Sequence, residues 1–122
     1  MRDNFKSPRI INAMEIEPIT IEGGAQVRRV ITKKNHNAHL VFSLVVEEPG
    51  KGHLWHVHPG DEVIFIMKGE GTLSFVDENG TEKHLKAKEG HVVFVPLGLR
   101  HQFINTGTES MMLVVAIAPP HT

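Results

Sequence analysis

The chain has 122 residues and a formal net charge of −1, with 13 Lys and Arg against 14 Asp and Glu. It is long enough to bury a core as one domain, yet it carries no global field for nucleic acid or an anionic membrane. Cysteine is absent, which excludes disulfides, zinc ribbons and thiolate catalysis. The unusual feature is nine histidines, of which only the spacing carries an argument.

Residues 1–24 read as an extended arm. Pro8 and Pro18 break helices, and Met14-Glu15-Ile16-Glu17 and Ile19-Thr20-Ile21-Glu22 alternate apolar and polar as edge strands do. Met1 to Ala13 is polar and lacks the apolar core of a secretion signal. No apolar run reaches the roughly 18 residues that span a membrane. A soluble cytoplasmic protein is therefore expected. Gly23-Gly24 ends the arm, Ala25–Thr32 predicts a strand, and Lys33-Lys34-Asn35-His36-Asn37 predicts a polar loop with a solvated His36.

Strands are predicted over His39–Glu47, Glu62–Lys68, Gly71–Asp77, Thr81–Ala87, His91–Pro96, His101–Thr106 and Met111–Ala118. Glu48 to Gly52 reads as a turn and Asp77-Glu78-Asn79-Gly80 as a hairpin turn. No amphipathic helix of about ten residues is present, and many short strands at regular spacing argue a β-sandwich or barrel. The domain is expected over 25–118, with 119–122 as a tail. Several strands are apolar on both faces: Val63, Phe65 and Met67 oppose Ile64 and Ile66. One buried face per sheet suffices for a lone domain, so the second predicts a homodimer pairing sheets across a symmetry axis. The competing expectation is that the arm covers that face within one chain.

The chemistry concentrates in Trp55-His56-Val57-His58-Pro59-Gly60-Asp61-Glu62. On a strand, residues i and i+2 share a face, so His56 and His58 present their imidazoles side by side. Glu62 opens the next strand after a turn, and His101 begins another after Gly98-Leu99-Arg100. Three imidazoles and a carboxylate suit one divalent first-row metal (Mn, Fe, Ni or Zn) with coordination positions open for a ligand. Burying these groups without a cation is costly unless every one finds a partner. The same alternation points His53, Trp55 and Val57 away from His56 and His58. His84 sits on a polar hairpin, and His39, His91 and His121 have no assigned role.

Gly50, His56, His58, Glu62 and Gly69 resemble the first cupin motif, and Gly90, Pro96, Gly98, His101 and Asn105 resemble the second. The two motifs cover residues 50–105 and are separated by 20 residues between Gly69 and Gly90, as in small single-domain cupins of the oxalate-decarboxylase-like group. The resemblance implies an all-β conical jelly-roll barrel with the metal on His56, His58, Glu62 and His101. It also suggests site residues. His53 at the barrel mouth is a candidate acid or base. Phe103 shares the face of His101 and is a candidate pocket wall. A substrate carboxylate calls for a cation, and one of Arg28 and Arg29 must point inward; alternation does not choose, and Arg28 stands as the candidate. Arg100 is expected on the surface, and Trp55 and Met67 in packing.

The fold leaves the reaction open. A small-molecule ligand chelated by the metal fits a dioxygenase, a decarboxylase or lyase, or an isomerase; the alternative is a non-catalytic module binding a small molecule or metal. The absence of tyrosine disfavours the deoxysugar epimerases of the superfamily, and a single pair of motifs disfavours a bicupin. No nucleic acid or membrane partner is expected.

Overall fold

Apolar alternation at period two turns most of the chain into short antiparallel strands, and the computed structural model describes them within residues 7–120. The strands are β1 (Ile19–Thr20), β2 (Gln26–Ile31), β3 (Val41–Glu47), β4 (Gly52–His56), β5 (Asp61–Lys68), β6 (Glu70–Val76), β7 (Glu82–Lys88), β8 (Val92–Val95), β9 (His101–Ile104) and β10 (Met111–Ala118). They form one sheet in the order β1-β2-β3-β10-β5-β8 and a second in the order β4-β9-β6-β7. This is the expected all-β jelly roll. His121 and the first six residues of the arm lie outside the described residues.

Two short helical turns replace predicted extended or loop segments. Lys33–His36 forms α1 because the Thr32 side chain accepts the Asn35 N–H, His36 Nδ1 accepts the Thr32 N–H, and Asn37 ends the turn at φ 54°. His36 is thus a local cap. Ala13–Glu15, overlapping the 14–17 stretch expected as an edge strand, is a single 3-10 turn capped by the Asn12 side chain, which accepts the Met14 N–H. Of the predicted arm strands only Ile19–Thr20 pairs, lying antiparallel to Val27 and Gln26. The described part of the arm contacts the barrel: Arg28 Nε donates to the Ile16 carbonyl at 3.0 Å, and Ile21 packs against the core.

The interior is filled at one end and hollow at the other. Ile66, Leu73, Ala87, Phe103, Met111 and Leu113 make the solid part. Across the β5–β10 ladder Leu113 faces Ile66, Val115 faces Ile64 and Ile117 faces Glu62, so inward residues change from packed aliphatics to a carboxylate in two steps along the strands. Gly52 allows β4 to lie close on β9, since a Cβ there would clash with the Phe103 carbonyl and lie 2.8 Å from Ile104 Cα. The hairpin turn forms as predicted, with Asp77 Oδ1 accepting the N–H groups of Asn79 and Thr81.

The outer face of the larger sheet stays open. Register aligns Val114 with Phe65, Ala116 with Val63, and these β5 residues with Val92 and Phe94 of β8. Phe65 is 40% and Val92 62% exposed, so the described part of the arm does not cover this apolar strip. Among the described residues no helix is long and apolar enough to cross a membrane.

Candidate metal centre

The four expected ligands converge. One ligand atom from each of His56, His58, Glu62 and His101 lies within 4.8 Å of all the others. The β4–β9 register sets His56 directly opposite His101. His58 follows β4, and the Gly98 N–H donates to its carbonyl at 3.1 Å, tying the second motif to the first. Asp61 Oδ1 accepts the Leu97 N–H at 3.0 Å and pins the same loop. Glu62 projects inward from the start of β5.

Hydrogen bonding decides what the cluster offers. His56 Nδ1 meets the Leu54 carbonyl at 2.6 Å, His58 Nδ1 the Gly60 carbonyl at 2.9 Å and His101 Nδ1 the Leu99 carbonyl at 2.8 Å. A carbonyl only accepts, so each Nδ1 carries the hydrogen, and the ring in its neutral form turns its Nε2 lone pair into the cluster. Nε2 of His58 and of His101 each stand 3.1 Å from Glu62 Oε1. Lone pairs facing a carboxylate at that distance repel unless a cation or protons lie between them. Backbone carbonyls holding the outer nitrogens are the arrangement that fixes imidazoles for a metal. The donor set therefore fits a divalent ion of the first transition row, bound by His56, His58, Glu62 and His101.

Without metal, protons do this work. Burial pushes the Glu62 carboxyl up, but the bonds and charges of His101 and His58 overcome it and hold the group at about 2. His58 is raised, mainly by its hydrogen bond to Glu62, whereas burial lowers His56.

Beside the cluster opens a cavity of about 220 Å³. Its wall is largely aliphatic, with Ile21, Val27, Val45, Val115 and Ile117, and its polar side chains include Arg29, Ser43 and His53 beside the ligands. Strand parity and one strand irregularity decide which residues reach it. In β2 Arg29 shares the inward parity of Val27 and lies opposite Ser43 on the cavity side, and the register slips only beyond it, before Ile31. Arg28, the expected pocket residue, instead points to the arm and bonds Ile16. In β4 the register slips between His53 and His56, so the extra residue cancels the alternation and both histidines reach the cavity. Leu54, which strict alternation would place on the face of His56, is exposed.

Phe103 is placed in the core rather than in this cavity. Its ring is 2% exposed and borders a gap of about 10 Å³ on the packed side of the cluster. It shares the inward face with His101, but two residues deeper, which makes it the floor beneath the ligands. Trp55 packs under the exposed Arg100 guanidinium, 5.5 Å from its ring centre. Two residues carry more than alternation suggested. Asn105 is buried and donates to the carbonyls of Glu47 and Glu109 while accepting the Gly107 N–H, which locks the loop after β9. Glu47 is wholly buried and its Oε2 lies 2.9 Å from His53 Nδ1; burial raises its carboxyl more than His53 lowers it. Glu47 was not among the residues expected at the site; the signal that could have found it is a lone charged residue at an inward position of a mostly apolar strand.

Residues 43–117 match the cupin domain family. Among curated proteins, the polyketide synthase CurC of Streptomyces cyaneus is 32% identical over 92% of this chain and 70% of its own. An acireductone dioxygenase of Bacillus cereus is 30% identical, with 64% of this chain matching 49% of that one. Oxalate decarboxylase OxdC of Bacillus subtilis is 25% identical across 93% of this chain but only 30% of its own length. The chain thus spans about half or less of the last two relatives. Among solved structures, a predicted oxalate decarboxylase from Thermotoga maritima superposes with a TM-score of 0.78 at 24% identity, over 91% of this chain and 99% of that one. The family match, the jelly roll and the convergent histidines and carboxylate agree, and the chain belongs to the cupin family.

Proposed function

We propose that the chain is a metal-dependent enzyme acting on a small oxygenated molecule, a carboxylic acid, diketone or sugar, as a dioxygenase, a decarboxylase or lyase, or an isomerase. The observation that carries this reading is the convergence of one ligand atom from each of three imidazoles and a carboxylate, each imidazole held at Nδ1 by a backbone carbonyl. A divalent ion bound there supplies Lewis acidity to a chelating hydroxyl, carbonyl or carboxylate oxygen. The remaining tasks fall to this chain's side chains. Arg29 faces an anionic end of the substrate, and among the described residues no hydrogen bond or ion pair occupies its guanidinium. Ile21, Val27, Val45 and Val115 receive an apolar body and exclude water. His53 exchanges a proton with the substrate from the cavity wall. Relatives named for polyketide, dioxygenase and decarboxylase chemistry support this reading.

The test is turnover, with oxygen uptake and product analysis, over hydroxy acids, diketones and sugars on metal-loaded protein. Activity that disappears in His101→Ala is the expected result. Tight ligand binding without turnover across the panel would replace the enzyme with a binding module. The exposed apolar strip of Val63, Phe65, Val92 and Phe94 supports a homodimer formed by pairing these faces. A small molecule is the partner the cavity accommodates, and a cytoplasmic location accompanies this reading.

A further inference from the structure

The reading of the cavity as a substrate site leaves one buried group without a task. Glu47 is 0% exposed, sits on the inward face of β3 with Ser43 and Val45, and uses one oxygen to hold His53 Nδ1 at 2.9 Å. Its other oxygen, Oε1, is buried with no hydrogen-bond partner. Burying a carboxylate in this half-satisfied state costs free energy, and an aliphatic side chain of similar volume would be a cheaper core residue. The other barrel residues explain no such expense, because Glu47 lies outside the four-ligand cluster. What it does accomplish is local. His53 stands on a strand irregularity, lines the cavity, and has its ring centre 6.1 Å from that of His56. A ring at such a bulge has no regular ladder to set its direction.

We propose that Glu47 is a positioning residue whose hydrogen bond fixes the His53 ring so that Nε2 is the nitrogen presented to a ligand chelated beside His56. The pair is separate from the metal ligands but ordered toward the same cavity, as a carboxylate orients a working imidazole in other sites. His53 touches the substrate; Glu47 acts through His53. The inference rests on the enzyme reading for its use, whereas the pair itself exists independently of any reaction.

Two arms separate these levels. In the first, proton and nitrogen NMR of the zinc-loaded protein looks for a downfield, slowly exchanging proton at His53 Nδ1. It is expected in the wild type and absent in Glu47→Leu and His53→Gln; a wild type that lacks it overturns the proposal, whatever the variants do. In the second, acetohydroxamate serves as a chelating probe of the zinc-loaded protein in calorimetry. Glu47→Leu and His53→Ala each weaken it by about tenfold, the double variant is no weaker than His53→Ala, and Glu47→Gln, which keeps an acceptor, retains most of the affinity. Independent, multiplying losses in the double variant, or unchanged affinity in Glu47→Leu, would contradict a positioning role. A melting temperature for Glu47→Leu equal to or above wild type accompanies the expected result, since a purely structural Glu47 would lower it. Failure of turnover with an intact NMR result would sink the enzyme reading and leave the pair standing.

Discussion

His56 and His101 stand directly opposite each other across the β4–β9 ladder, with ring centres 4.3 Å apart. Residues facing each other on adjacent strands are the closest neighbours a sheet provides, so one register brings together candidate ligands 45 positions apart in the sequence. Glu62 and His58 join from the next turn and strand. The centre is therefore built into the sheet pairing, and loop contacts such as Gly98 N–H to the His58 carbonyl hold its rim.

The two neighbouring arginines should behave differently. Arg29→Ala is expected to raise KM for carboxylate members of the substrate panel by about tenfold, the worth of a charge-assisted hydrogen bond. Arg28→Ala, which loses only its bond to the Ile16 carbonyl, should leave KM unchanged. Steady-state kinetics on the two variants checks this.

Acid should destabilise the metal-free protein through Glu62. Its folded carboxyl is held at about 2 against 4.5 when unconstrained, so the unfolded chain takes up the proton first as pH falls. The stabilisation is complete above pH 4.5 and is lost on descending from 4.5 towards 2. His58 has the opposite sign: raised above 6.5, it stabilises below 6.5 and ceases to as pH rises through its folded value. Thermal melts of the metal-free protein should fall steeply between pH 4.5 and 2, and Glu62→Gln should flatten that limb.

Phe103→Ala tests whether this ring is floor or wall. As a fully buried side chain it should cost about 3–5 kcal/mol of stability by denaturant unfolding. Phe103→Leu should cost far less and preserve KM, because the ring faces the core side of the cluster and not the cavity.

The clustering of the candidate ligands and the fold class were legible because both depend on short-range regularities. His-x-His at i and i+2 places two rings on one face whatever else happens, and Gly, Pro and Asn-Gly signals mark where strands stop. Residues beyond the motifs were less legible because their orientation depends on irregularities that alternation cannot see. One extra residue in β4 turned His53 to the side of His56, and one in β2 just past Arg29 leaves both Val27 and Val30 buried, so parity alone did not choose between Arg28 and Arg29. Met14 to Glu17 alternates as a strand would, yet the Asn12 cap closes Ala13–Glu15 into a turn. Glu47 was hidden at the end of an apolar run, where only its inward parity with Ser43 and Val45 distinguished it from a strand-end surface charge.

The open sheet face should mediate pairing. Light scattering is expected to give a mass near twice the 13.6 kDa chain, and Phe65→Lys, placing a charge in the middle of the strip, should yield monomers that remain folded by circular dichroism. A wild-type mass near 13.6 kDa would remove the dimer.

The central claim is that His56, His58, Glu62 and His101 hold a divalent metal. Elemental analysis of protein purified without chelator, followed by titration of the stripped protein with Mn, Fe, Ni and Zn, tests it most directly. The account predicts about one equivalent bound and an affinity lowered more than about 100-fold in His101→Ala, since even outer partners of ligands are worth 10–100-fold. Protein that carries no metal and binds none of the four ions would contradict it.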